Sequence, residues 1–237
     1  MHYVIIGNGV AGINAANTIR NRDEQARISI VSSESDHFFS RTALMYVFCG
    51  QLSEQCVEPY ERDYYQRMGF ERYRKRVTGI DHTSKALTFS DGGTLNYDRL
   101  LIASGSVGRM ADWPGGNLPE VGHFVTWQDL EWLRNTARGA RRAVVVGGGL
   151  IGIETVEILL HAGIEVTFLV REEYFWPIAL DHAESEIVMA HMRHHGCNLK
   201  TQTVMEEILG RDGHVVGARM ADGDVIDCDL VVVTIGV

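Results

Sequence analysis

Val4-Ile5-Ile6-Gly7-Asn8-Gly9-Val10-Ala11-Gly12 lies near the start of the chain, and Val144-Val145-Val146-Gly147-Gly148-Gly149-Leu150-Ile151-Gly152 repeats its pattern in the second half. In both, an apolar run meets Gly-x-Gly-x-x-Gly and passes into helix-compatible sequence. Such a run before the glycines reads as a buried parallel strand. The glycines then allow, in order, a tight turn, a close approach of backbone to a diphosphate, and close packing of the next helix. The diphosphate would rest on unsatisfied N–H groups at the helix N-terminus, where the helix dipole favours an anion. Gly7, Gly9, Val10, Ala11 and Gly12 thus form one expected nucleotide site. Gly147, Gly149, Leu150, Ile151 and Gly152 form a second.

The echo extends past the glycines. Each half runs on to an Asp-Gly turn, Asp91-Gly92 or Asp222-Gly223, and seven residues later stands Asp98 or Asp229. Each aspartate opens an apolar strand, Leu100-Leu101-Ile102-Ala103 or Leu230-Val231-Val232-Val233, with Gly105 or Gly236 beyond it. Second strands are read at Arg27-Ile28-Ser29-Ile30-Val31 and Glu165-Val166-Thr167-Phe168-Leu169-Val170. Helices are expected from Ile13 to Arg20 and from Ile153 to His161, the latter stopped by Gly163. Gly105 to Gly122, holding Pro114, Gly115, Gly116 and Pro119, reads as a crossover, followed by a helix from Trp127 to Arg138. The expected fold is α/β, with two tandem Rossmann-like dinucleotide-binding domains at 1-110 and 111-237. Both closing strands have the continuous apolar sequence of covered strands. The second ends so near Val237 that a C-terminal part of the fold is expected to be missing.

The net charge is −9, and the chain has no long basic run. That balance argues against nucleic-acid binding. No apolar stretch approaches the roughly 18 residues needed to span a bilayer. Because strand-like His2 to Ile6 runs straight into Gly7, a cleavable leader has no room and a cytoplasmic location is expected. The cysteines Cys49, Cys56, Cys197 and Cys228 form neither a Cys-x-x-Cys pair nor a metal-ligand spacing. They are expected to be buried or half-buried free thiols. His191, His194 and His195 share one helix face at a spacing that can bind metal. Without a carboxylate or cysteine partner they read as a solvated face, and no metal site is expected.

In a site of this kind a carboxylate at the end of the second strand accepts from the adenine-ribose hydroxyls. Glu34 is the candidate in the first half, with Asp36 in reserve. In the second half the position is Val170, followed by Arg171, Glu172 and Glu173. A cation in place of the acid accommodates a 2′-phosphate, which leans toward NADP. Glu172 can instead serve a free 2′-hydroxyl, so NAD stays open.

With two such sites and the strand ends Ala103-Ser104-Gly105 and Thr234-Ile235-Gly236, the chain resembles the pyridine nucleotide-dependent FAD oxidoreductases of the glutathione reductase fold. Its nearest likeness is to the branch of ferredoxin and rubredoxin reductases, apoptosis-inducing factor and the flavin module of nitrite reductases. The most specific pieces are Tyr97-Asp98-Arg99-Leu100-Leu101-Ile102-Ala103-Ser104-Gly105-Ser106 and Gly147-Gly148-Gly149-Leu150-Ile151-Gly152-Ile153-Glu154. The resemblance implies FAD in the first domain and NAD(P)H in the second. It also implies a C-terminal return segment that completes the FAD domain, and a dimerisation domain, so a homodimer is expected of the full-length protein. Arg41 and Thr42 would then stand beside the flavin, Arg41 neutralising its phosphate or reduced ring. Ala103, Ser104, Gly105 and Gly236 would border the cofactors, and Glu154 would lie next to nicotinamide and flavin. The implied activity is NAD(P)H:acceptor oxidoreduction, with electrons passing to an external small molecule or redox protein.

Disulfide reductases of this fold carry two cysteines on the helix after the second strand, and the coenzyme A disulfide reductases and NADH oxidases carry one. Here Thr42 takes that place, and Cys49 is expected two helical turns further along the same helix, which argues against a protein thiol in catalysis. Two other activities stand as alternatives. One is a single-cysteine thiol or peroxide reductase or an NADH oxidase; the other is a nucleotide-sensing protein with vestigial redox activity.

Overall fold

The first apolar run forms β1 (His2–Ile6), and its successive side chains are buried in opposite directions. Ile5 enters a cluster with Ile13, Ala16, Ile28, Ile30 and Phe70, whereas Val4 enters one with Val31, Leu87, Phe89 and Tyr97. With both faces covered, the strand needs no polar alternation. The computed structural model describes the whole chain, Met1–Val237, which divides into two compact units. One comprises Met1–Ala43 and Leu52–Ser106, the other Leu44–Gln51 and Val107–Val237.

From β1 the chain runs through α1 (Val10–Arg22), β2 (Arg27–Ser32), α2 (Leu44–Phe48), α3 (Tyr64–Arg67) and β3 (Phe70–Arg74). It continues through β4 (Val77–Asp81), β5 (Ala86–Phe89), β6 (Thr94–Asn96) and β7 (Arg99–Ile102). The parallel sheet of the first unit has the order β3-β2-β1-β7, with Ile5 beside both Ile30 and Leu101. Helix α1 covers one face, and the antiparallel meander β4-β5-β6 covers the other through Leu87, Phe89 and Leu95.

The second unit repeats this plan. It contains β8 (Val121–Gly122), α4 (Trp127–Ala137), β9 (Arg142–Val146), α5 (Leu150–His161), β10 (Glu165–Leu169) and α6 (His182–His194). Then follow β11 (Asn198–Lys200), β12 (Met205–Arg211), β13 (His214–Met220), β14 (Val225–Ile226) and β15 (Leu230–Val233). The parallel sheet runs β11-β10-β9-β15-β8, and the meander β12-β13-β14 packs Ile208, Val215, Ala218 and Met220 against Val144, Val146, Val231 and Val233. The segment Leu44–Gln51 belongs here too. Arg134 donates to the Val47 carbonyl, and the Phe48 ring meets Phe124 edge-on at 6.5 Å.

The repeated aspartates have a physical reason. The Asp98 carboxylate accepts from the backbone N–H of His2 at 2.6 Å, and the Asp229 carboxylate accepts from those of Arg141 and Arg142 at 3.0 Å each. Each therefore ties the start of a closing strand to the start of its first strand. The Asp-Gly turns close the last hairpin of each meander, with Gly92 and Gly223 at φ of +81° and +92°.

Four expectations need correction. Both glycine-motif helices start earlier than Ile13 and Ile153, at Val10 and Leu150, because Gly9 and Gly149 are themselves the N-caps. Within residues 1–237 strand β7 is the edge of its sheet, and Leu101 and Ile102 are 40% and 57% exposed. By contrast β15 is covered on both sides, since β8, inside the stretch read as a crossover, pairs with Val231 and Val232. Lastly, Thr42 and Cys49 do not share a helix. Thr42 lies in the 3-10 turn Arg41–Ala43, and Cys49 follows the end of the five-residue α2.

Candidate functional site

Each glycine turn sits at the C-terminal end of the first strand of its sheet, between strands that lead to opposite sides, where ligands of open α/β sheets bind. Gly7 has a φ of +117°, and a Cβ there would stand 2.0 Å from the Ala103 carbonyl oxygen. Gly147 repeats this, with a φ of +122° and the Thr234 carbonyl oxygen at 2.4 Å. The third glycines are equally constrained, because a Cβ on Gly12 or Gly152 would meet the carbonyl oxygen of Gly7 or Gly147 at 2.0 or 2.2 Å. The middle glycines differ from both. A Cβ on Gly9 or Gly149 would meet nothing within 4 Å, and both residues have extended backbone. Protein packing therefore does not demand glycine there.

Helix capping separates these two helices from α4 and α6. Helices α4 and α6 start with full capping boxes, Thr126 with Asp129 and Asp181 with Glu184. Helices α1 and α5 have no side-chain cap and no acid in the first turn. Their first N–H groups and helix dipoles thus face the open side of the turn. That arrangement suits an anionic diphosphate and fits a dinucleotide at both places.

Around the first turn, Glu34 and Arg41 are brought together. The Arg41 guanidinium donates to both Glu34 oxygens, at 2.8 and 2.7 Å, and lies over the Phe39 ring at 5.2 Å. Asp36 has an exposed side chain, and its carbonyl accepts from Asn8 and Arg72. Thr42 is exposed, its hydroxyl 3.2 Å from that of Ser40. Ala103 is half-buried, Ser104 and Gly105 exposed. Sequence reasoning missed Asn8, buried inside the motif. Its Oδ1 accepts from the Tyr65 hydroxyl at 2.9 Å. The one available signal was an asparagine in a motif that otherwise asks only for small residues.

Around the second turn, Val170 packs on Gly148, whose Cβ would come within 2.7 Å of Val170 Cγ1. Arg171 is exposed and pairs with Glu172 at 2.8 Å, so cation and carboxylate occupy one place. Thr234, also missed, is buried, and its hydroxyl donates to the carbonyls of Val146 and Gly147 at 2.9 and 3.1 Å. The Gly236 carbonyl accepts from the Arg109 N–H at 2.9 Å. Glu154 is half-buried on α5, and burial, then the Glu157 carboxylate one turn on, pushes its carboxyl above the ordinary range.

Burial lifts three of the four thiols, to about 12 for Cys228, to about 11 for Cys197 and upward for Cys49, where Glu157 adds to the effect. A raised pKa disfavours the thiolate that redox chemistry needs. Cys56 departs from the expectation of burial: it is exposed in the turn Glu54–Val57, where the Ser53 hydroxyl donates to its sulfur at 3.1 Å. His191 and His194 on α6 and His195 at its C-cap are all exposed, with the His195 ring centroid 4.3 Å from that of His191 and 5.4 Å from that of His194.

Two uncapped glycine turns of one design, each at the switch point of a parallel sheet, define a doubly wound protein whose fold suits dinucleotides. The whole chain, residues 1–237, matches the family described as pyridine nucleotide-disulphide oxidoreductase, and it belongs to that family. It is 35% identical over 169 residues to the ferredoxin–NAD(+) reductase subunit of the benzene 1,2-dioxygenase system of Pseudomonas putida, a match covering 71% of this chain and 41% of that protein. It is 27% identical to a rubredoxin–NAD(+) reductase of Pseudomonas putida, covering 100% of this chain and 62% of that protein. The crystal structure of a ferredoxin reductase from Rhodopseudomonas palustris superposes with a TM-score of 0.92 at 25% identity, over 99% of this chain and 58% of that one. The chain therefore spans less than two thirds of the proteins it matches. No helix is long and apolar enough to cross a membrane.

Proposed function

We propose that this chain forms the FAD- and NAD(P)H-binding part of an NAD(P)H:acceptor oxidoreductase, with FAD on the Gly7–Gly12 turn and NAD(P)H on the Gly147–Gly152 turn. The single observation that carries the proposal is the pair of middle glycines that no protein atom approaches, each at the uncapped N-terminus of a helix. Bound together, the two cofactors supply hydride transfer and the release of electrons to an acceptor. In the first unit the N–H groups of Val10, Ala11 and Gly12 face the diphosphate, and Glu34 accepts from the adenine ribose. Arg41, now paired with Glu34, offers its charge to the flavin side. In the second unit Arg171 and Glu172 meet the ribose edge, where the exposed cation can take a 2′-phosphate and the carboxylate a free hydroxyl. Glu154 is the carboxyl on the nicotinamide side, and its raised pKa lets it hold a proton at a higher pH than an ordinary glutamate.

The acceptor class we propose is a small redox protein of ferredoxin or rubredoxin type, as the names of the relatives indicate. Direct transfer is supported by Thr42, whose hydroxyl cannot cycle between thiol and disulfide.

The test pairs two variants. Gly9→Ala adds one methyl into open space, so it should leave the unit folded and lower FAD uptake at least tenfold while sparing NAD(P)H binding. Gly149→Ala should do the reverse. Control of flavin uptake by Gly149 would overturn the assignment. Protein that takes up FAD, yet is not reduced by NADH or NADPH, would overturn the activity.

A further inference from the structure

Between Gly7 and Gly9 stands the one polar residue of the two glycine turns. The second unit has Gly148 there, packed flat on Val170. The first has Asn8, 6% exposed, whose side chain turns away from the open side of the turn and into the protein. Its Oδ1 accepts from the Tyr65 hydroxyl at 2.9 Å, and its Nδ2 donates to the Asp36 carbonyl at 3.4 Å. The same Tyr65 oxygen accepts from the Phe38 N–H at 2.7 Å.

One phenol thus joins the diphosphate turn to the loop between β2 and Arg41, which carries Glu34 and Asp36. Tyr65 itself has little freedom. It is 1% exposed on α3, its ring meets Tyr64, Phe70 and His37 edge-on, and the Arg72 guanidinium covers it at 4.7 Å. Arg72 also donates to the Asp36 carbonyl at 3.2 Å, so a second arm holds the same loop. In the second unit the loop after β10 is held by backbone bonds instead, from Thr203 N–H to Val170 and from Gln202 N–H to Glu172.

We propose that Asn8 and Tyr65 form a positioning clamp that locks the loop of residues 33–40 against the Gly7–Gly12 turn and so slows release of the dinucleotide held there. The chemistry of the two ligands explains why only one site has it. A flavin must stay bound through many turnovers, whereas a nicotinamide nucleotide must leave after each one. Buried polar pairs of this kind fix a geometry, because breaking one leaves a donor or acceptor without a partner. The inference rests on the assignment of FAD to the first unit.

The experiment measures FAD release from the full chain in four proteins: parent, Tyr65→Phe, Asn8→Ala and the double variant. Tyr65→Phe keeps the ring and its packing and removes only the hydroxyl. Release should quicken about tenfold in each single variant, the size expected for loss of one buried hydrogen bond. The double variant should be faster than either single one by clearly less than the product of their effects, because both remove the Asn8–Tyr65 bond. Binding of NAD(P)H should not change. A purely structural role would lower the melting temperature of the FAD-free protein and leave release unaltered. Unaltered release, or additive effects in the double variant, overturns the clamp. A flavin lost on Gly149→Ala rather than Gly9→Ala overturns the site assignment, so the two failures are distinguishable. Should Asn8→Ala fail to fold, the release rate of Tyr65→Phe alone decides.

Discussion

Strands β7 and β15 both lie beside the first strand of their parallel sheet and are followed by equivalent residues, Ala103 and Thr234. Their surroundings are opposite. Val231, Val232 and Val233 are at most 2% exposed, whereas Leu101 and Ile102 stand 40% and 57% open. The difference is one two-residue strand. In the second unit β8 pairs with Val231 and Val232, and the Trp132 ring of α4 lies so close over Gly122 that a Cβ there would come within 2.8 Å. Within residues 1–237 the first unit has no such strand beyond β7. An apolar run thus states that a strand belongs to a sheet; whether it is covered depends on a neighbour that its own sequence does not name. Tight turns behave differently, since Gly7 and Gly147 answer to nearly the same contact in both units.

Truncation at equivalent positions of β15 and β7 should have unequal effects. Val232→Ala should cost about 2 kcal/mol, through lost burial and the cavity left behind. Leu101→Ala, at the matching place, should cost less than about 0.5 kcal/mol, as an exposed side chain does. Denaturant unfolding of the two variants measures both. Equal costs would mean that β7 is covered in solution.

Glu71 and the two buried thiols should shape opposite ends of the stability–pH curve. In the first unit, Arg27, Ser29 and Tyr73 hold the Glu71 carboxylate down to about 2, from an ordinary 4.5. A depressed acid stabilises the fold above pH 4.5. That stability is lost as pH falls through the folded value, and for this partly exposed pair it amounts to about 1 kcal/mol. In the second unit, burial raises Cys197 and Cys228 from 9.0 to about 11 and about 12. Their protonated forms are favoured in the fold, so the stability they confer is full below pH 9.0 and lost as pH rises toward those values. Glu71→Gln should flatten the acid limb of a stability–pH curve and leave the alkaline limb, and Cys228→Ala should do the converse. A curve in which either variant moves both limbs would contradict the separation.

The smallest effect expected is none. The double variant Cys49→Ser, Cys56→Ser should keep NAD(P)H:ferricyanide turnover within about twofold, because Cys49 is held as a thiol and Cys56 stands in an exposed turn. A hundredfold loss at unchanged flavin content, about 2.7 kcal/mol of transition-state stabilisation, would make a thiol reductase the better reading.

Read alone, the sequence determined the two-fold plan, the two diphosphate turns and the family. The reason is that glycines at positive φ, β-branched runs and Asp-Gly turns act on the backbone within a few residues, so their spacing carries the geometry. It also marked Asp98 and Asp229 by their repetition, without saying what they do. Packing of the folded chain decided that each aspartate holds the start of the first strand, 96 residues away for His2 and 87 for Arg142. It likewise decided that Arg41 closes on Glu34, that Leu44–Gln51 packs with the second unit, that β8 covers β15 and leaves β7 without a counterpart, and that Asn8 meets Tyr65 across 57 residues. Those outcomes depend on which distant segments are brought side by side by burial of the apolar faces, and no local pattern records that.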